Sequence, residues 1–228
     1  MFARLEKNSF LQRIYFNKTE LEQVLLLSCA FSVALSAARL LYTGRILFMS
    51  MNWNLFLAFI PYFMTRQLVR HPDWMENKGR FMLVFTVWLL FIPNAFYMLT
   101  DLFHLDLHPD IPLWFDLAFF LSFAWNGLLL GIISVRQMEK IVQVKWNTGS
   151  WLFAWPILFL NAFGIYLGRY LRYNSWDIVS NPFQLVNDCL YLLIHPIRNR
   201  FDWSMIICYT ILLILIYTTL KKLSKAIW

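Results

Sequence analysis

Six stretches of the chain are almost continuously apolar: Val24 to Leu41, Ile46 to Met64, Phe81 to Thr100, Leu113 to Val135, Trp151 to Gly168 and Trp203 to Leu220. Each reaches the roughly 18 or more residues that a helix needs to cross a hydrocarbon core about 30 Å thick. Barrel strands alternate over about ten residues, whereas these runs do not, so the pattern predicts helices. A seventh element is shorter. In "SNPFQLVNDCLYLLIHPIRNR", Asn181 before Pro182 predicts a helix start and Pro196 its end, giving a helix over about 181–195. Gln184, Asn187, Asp188, Tyr191 and His195 form its polar stripe, opposite Phe183, Val186, Leu190, Leu193, Ile194 and Ile197. Too short to span, it is expected in the outer interface or re-entrant. Residues 1–20 set Phe2, Leu5, Phe10, Ile14 and Phe16 among charges, as in an amphipathic segment on the inner surface. The expected fold is all-α: one polytopic membrane helical bundle over 1–228, with about six transmembrane helices and one interfacial helix.

Composition agrees with the pattern, since 60% of residues are hydrophobic and only 14% charged. The net charge of +7 is not the mark of a nucleic-acid partner, because most of the excess flanks the spans. Fourteen of the twenty basic residues fall on one side if the amino terminus is cytoplasmic, which predicts a cell-membrane protein with both termini inside. The others are Arg39, Arg45, Arg169, Arg172, Arg198 and Arg200. Cys29, Cys189 and Cys208 have no metal-type spacing and read as small apolar residues.

Against this background the stretch "PNAFYMLTDLFHLDLHPD", residues 93–110, is unusual for its acids and histidines. Asn94, Tyr97, Asp101, His104 and His108 recur every three or four residues and share one helical stripe. Asp106 and Asp110 fall off it, Pro109 ends it, and Pro93 predicts a kink before it. Asp101 and His104, at i and i+3, lie close enough to hold one ion or share a proton, or are simply solvated beyond the membrane. Asp116 in "LWFD" needs a partner, water or the dipole at a helix start. Arg169 and Arg172 in "GRYLRYNSWD" suit a helix end and a lipid phosphate, or snorkel to headgroups. Buried amides at Asn52, Asn54 and Asn126 are expected to join helices, and Asn161, Gly164 and Gly168 to permit close helix approach.

The site expected from these residues is outward-facing. Asp101, His104 and Asp116 are its catalytic candidates, while Arg169, Arg172, Asn174, Trp176 and Asp177 would bind substrate. Asp101, His104 and His195 would ligate a divalent metal, the cofactor such donors suit. The function that fits is a metal-dependent hydrolase or transferase acting on a membrane lipid or headgroup. A non-catalytic assembly partner, working as a homo-oligomer or with another membrane protein, and a small transporter are the alternatives. No zincin, nucleophile-elbow or phosphate-loop motif is present, so enzymatic activity stays open. The set "WNLFLAFIP", "PNAFYMLTDLFHL", "LWFD" and "GRYLRYNSWD" resembles a prokaryotic multi-pass membrane family, domain of unknown function (DUF) family 1361. That resemblance implies a membrane fold over nearly the whole chain and carries no activity or catalytic residues with it.

Overall fold

The structure, a computed structural model, describes residues 19–44, 46, 48–71, 73–105 and 111–226. The expected amphipathic segment at 1–20 therefore lies almost wholly outside the described residues, as do Asp106, His108 and Asp110. Seven helices longer than one turn carry the fold: α1 Glu20–Thr43, α2 Ser50–Arg70, α3 Lys78–Tyr97, α4 Leu113–Trp146, α5 Ser150–Arg169, α6 Pro182–Ile194 and α7 Arg200–Ala226. A 3-10 segment, Met98–His104, continues α3, and among the described residues there is no strand.

Helix ends follow local chemistry. Thr19 and Glu22 close a capping box on α1, Asn77 caps α3, and Gly44 ends α1 at φ 64, where a side chain would be strained. Asn181 does precede α6, but its amide donates to Gln184 Oε1 at 2.7 Å instead of accepting from the helix start. Pro93 leaves α3 in place. The helix runs on to Tyr97 and only then tightens to 3-10.

Among the described residues, five helical stretches are long and apolar enough to cross a membrane: α1, α3 with its 3-10 extension, α4, α5 and α7. The second predicted span, Ile46 to Met64, is shifted to Ser50–Arg70, and this helix is not among the five. It is long enough, yet Asn52, Asn54, Arg66, Gln67 and Arg70 lower its hydropathy. Hydropathy reads a charge as the end of a span, whereas a helix continues as long as its side chains find partners. Arg66 pairs with Glu22 of α1 at 2.5 Å, and Thr65 donates to Gln137 of α4 at 2.7 Å.

Helix α4 is the axis, with 67% of its most apolar window buried, whereas α1 and α7 are peripheral. Packing on it depends on small residues. A Cβ at Gly127 would meet the Ala95 carbonyl at 2.5 Å, and one at Gly131 the Phe96 ring at 2.8 Å. Gly164 and Gly168 do the same for α5, against Pro93 at 2.8 Å and Tyr97 at 3.1 Å, as their spacing predicts. Buried amides act as joints: Asn126 donates to Ser32 Oγ at 2.8 Å, and Asn52 to Ser36 Oγ at 2.7 Å. At one end of the bundle the fully buried Glu139 accepts from Arg136 and Lys221, each at 2.7 Å, and from the Ser150 and Tyr217 hydroxyls. These bonds tie α4, α5 and α7 together there. Asp116 lies about 35 Å away along α4, at the other end.

Candidate functional site

At that other end α2, α3 and α5 diverge around a cavity of about 780 Å³, a size typical of small-molecule sites. Asp101 forms part of its wall although the residue is only 3% exposed. The 3-10 geometry brings residues three apart onto one edge, so Asp101 and His104 point the same way. Between them stands Arg169, from the last turn of α5. Its Nη2 donates to Asp101 Oδ1 at 2.5 Å, its Nε to Thr100 Oγ1 at 2.8 Å, and its Nη1 contacts His104 Nε2 at 3.2 Å. Guanidinium has only donors, so a hydrogen bond at this contact makes Nε2 the acceptor. The Tyr97 ring covers the guanidinium carbon at 4.3 Å. A fixed cation thus occupies the position between Asp101 and His104 that the sequence suggested for a metal.

The second carboxylate oxygen, Asp101 Oδ2, is buried and makes no hydrogen bond within the described residues. Asn54 of α2 faces the carboxylate without closing a bond of good geometry. Deeper in the same cavity, Asn161 donates to its own helix at Ile157 O, 2.7 Å, and its Oδ1 is likewise without a partner among the described residues.

The loop after α5 closes the other side. Arg172 adopts φ 61, a left-handed conformation that costs a non-glycine residue roughly 1–2 kcal/mol. Two bonds on the next residue hold the turn: Tyr173 N donates to Leu167 O at 3.0 Å, and Tyr173 Oη to Asp188 Oδ2 of α6 at 2.7 Å. That last bond pushes the Tyr173 phenol up to about 12. Ser175 straps the loop onto α3, donating to Leu90 O and accepting from Asn94, both at 2.9 Å. Arg172 itself lines the cavity, is exposed, and has no hydrogen-bond or ion-pair partner among the described residues.

Of the residues the sequence singled out, Asp101, His104, Arg169, Arg172, Asn174 and Trp176 all line this cavity. Asp177 does not. It receives the Asn174 N–H at 2.6 Å and the Ser180 hydroxyl at 2.8 Å, and the backbone bond above all holds its carboxyl below the usual range. His195 ends α6, is exposed, and stacks on Tyr191 at 4.6 Å, outside the cavity wall. Asp116 is 2% exposed and salt-bridged to Arg39 of α1, whose guanidinium carbon sits 4.9 Å from the Phe48 ring and 5.7 Å from that of Phe120. The same two rings lie 5.6 and 6.3 Å from His104, so an aromatic partition separates the Asp116 pair from the Asp101 centre.

Sequence reasoning missed Thr100, Ser175 and Arg39. Thr100 is off the α-helical stripe, and its bond to Arg169 is made only by the packing of α5 against this segment. Arg39 was visible solely as a charge at a span end. Among the described residues no group of three His, Cys, Asp or Glu side chains gathers where it would hold a metal ion. No curated protein and no solved structure matches the chain. The model of a family described as protein of unknown function (DUF1361) matches residues 53–216, more than two thirds of the chain and every residue of the cavity centre, and the protein belongs to that family.

Proposed function

We propose that the protein binds an anionic amphiphile, a membrane lipid or lipid-like metabolite, in this cavity at the outer side of the cell membrane. The observation that carries the reading is Arg172, a cation without a partner among the described residues, held in a strained turn at the edge of a cavity between membrane helices. Strain of that kind persists where surrounding bonds over-determine it, and it concentrates at functional sites. Arg169, already balanced by Asp101, shapes the wall, and Arg172 supplies the net positive charge. Trp53 and Trp176, both about half exposed, offer apolar faces beside it. The outer side follows from the distribution of basic residues, with α2 crossing as a sixth span and both termini inside.

Hydrolysis or transfer at the bound headgroup is the catalytic form of the same proposal. It is favoured by Asp101 Oδ2, a buried carboxylate edge that accepts a hydrogen bond from a substrate hydroxyl or a water. A metal-dependent version has Asp101 and His104 as donors and requires Arg169 to withdraw.

Native mass spectrometry of the purified protein in detergent tests the proposal. Wild type is expected to retain anionic lipid, and Arg172→Gln to bind it at least about tenfold more weakly, the consequence of one lost charge-assisted contact. Equal retention by the two proteins, with unfolding temperatures unchanged, overturns the reading. A stoichiometric Zn, Mn, Fe or Ca ion in the same spectra supports the metal-dependent version.

A further inference from the structure

Two acceptors in the cavity wall are more than nine-tenths buried and make no hydrogen bond within the described residues: Asp101 Oδ2 and Asn161 Oδ1. A buried acceptor left unmade is costly, more so when it is ionised. An occupant complementary to this wall therefore brings hydrogen-bond donors as well as a negative charge.

Resting on the amphiphile reading above, we infer that the ligand is a polyol phosphodiester: a monoanionic phosphate bearing a glycerol- or sugar-type head with free hydroxyls. Charge balance favours a monoanion. Among the described residues, the Asp and Arg side chains that line the cavity, Asp101, Arg169 and Arg172, sum to one positive charge. Arg172 then faces the phosphate, and a hydroxyl of the head donates to Asp101 Oδ2. A choline head has no donor to offer that oxygen. A methyl ester keeps the charge but also lacks the donor. Asn161 lies eight residues before Arg169 on α5, about 12 Å further along the helix, so the head hydroxyls are assigned to Asp101 alone.

The shared chemistry, a phosphate beside free hydroxyls, belongs equally to a lipid and to its detached head. Binding to wild-type protein is measured with three probes: dioctanoyl phosphatidylglycerol, dioctanoyl phosphatidylmethanol, and glycerophosphoglycerol, the deacylated phosphodiester, as the water-soluble head. The first two carry the same chains and the same single charge and differ in the hydroxyls. Phosphatidylglycerol is expected to bind about tenfold or more tighter than phosphatidylmethanol, the penalty for leaving a buried polar group unpaired. Competition by glycerophosphoglycerol at comparable concentration identifies the free head as the ligand, and its failure to compete identifies the lipid; both outcomes require the hydroxyl preference. Equal binding of the two lipids, still lost in Arg172→Gln, overturns the polyol inference and leaves the amphiphile reading standing. Binding of neither lipid overturns both.

Discussion

Arg39 and Arg169 both end apolar helices, and both hold a buried aspartate, yet they have opposite consequences for the residues they hold. Arg39 meets Asp116 behind Phe48 and Phe120, with both partners at most 4% exposed, so the pair is sealed within the protein. Breaking a buried pair by removing one charge costs about 3–5 kcal/mol, whereas replacing both with apolar groups is often neutral or stabilising. Asp116→Asn is therefore expected to lower thermal stability in detergent sharply, and Asp116→Leu combined with Arg39→Met to restore most of it, with anionic lipid still bound. Loss of lipid binding in the double variant without loss of stability would return Asp116 to the functional site. Asp101 was legible in the sequence as a carboxylate spaced with a histidine. Its partner was legible only as one of two arginines far along the chain, because ion pairing over 68 positions is a property of helix packing. Spacing alone could not place Asp116 and Asp101 on different sides of an aromatic partition.

At the scale of helices the sequence was most readable where packing is steric. The interval from Gly164 to Gly168 predicts close approach, and Pro93 and Tyr97 fill that space. Alanine is about 1 kcal/mol better than glycine inside a helix, but at Gly164 its Cβ would lie 2.8 Å from two atoms of the rigid Pro93 ring. Gly164→Ala is accordingly expected to destabilise the protein by about 1–3 kcal/mol and weaken lipid binding. Gly79→Ala, with its nearest neighbour a side-chain atom at 3.4 Å, is expected to be neutral or stabilising. Similar unfolding temperatures for the two variants would contradict the packing of α3 on α5. The 3-10 segment from Met98 was not legible. Its effect, setting Asp101 and His104 on one edge with Thr100 on the next, needs the turn-by-turn geometry of the backbone. Helices α2 and α4 run on past the apolar stretches for a related reason, since Arg66 and Glu139 find partners on other helices that hydropathy cannot see.

Over the whole molecule, charge is concentrated at two ends of an apolar bundle and the ends differ in kind. Around Glu139 every acceptor is used, by donors from α4, α5 and α7, and the result is a clamp. Around Asp101, by contrast, Asp101 Oδ2 and the Arg172 guanidinium have no partner among the described residues, and they face a cavity. The bundle itself was legible in hydropathy, and Asp101, His104, Arg169, Arg172 and Asn174 of the cavity wall stood out as polar residues beside apolar helices, whereas its apolar lining did not. The central claim is that an anionic amphiphile sits in this cavity and not merely on the lipid-facing surface. Photo-crosslinking with an anionic phospholipid carrying a reactive group near its head tests it most directly. The account predicts labelled peptides from the 53–57 and 172–178 segments that disappear in Arg172→Gln. Labelling confined to the exposed faces of α1 and α7, unchanged by that substitution, would contradict it.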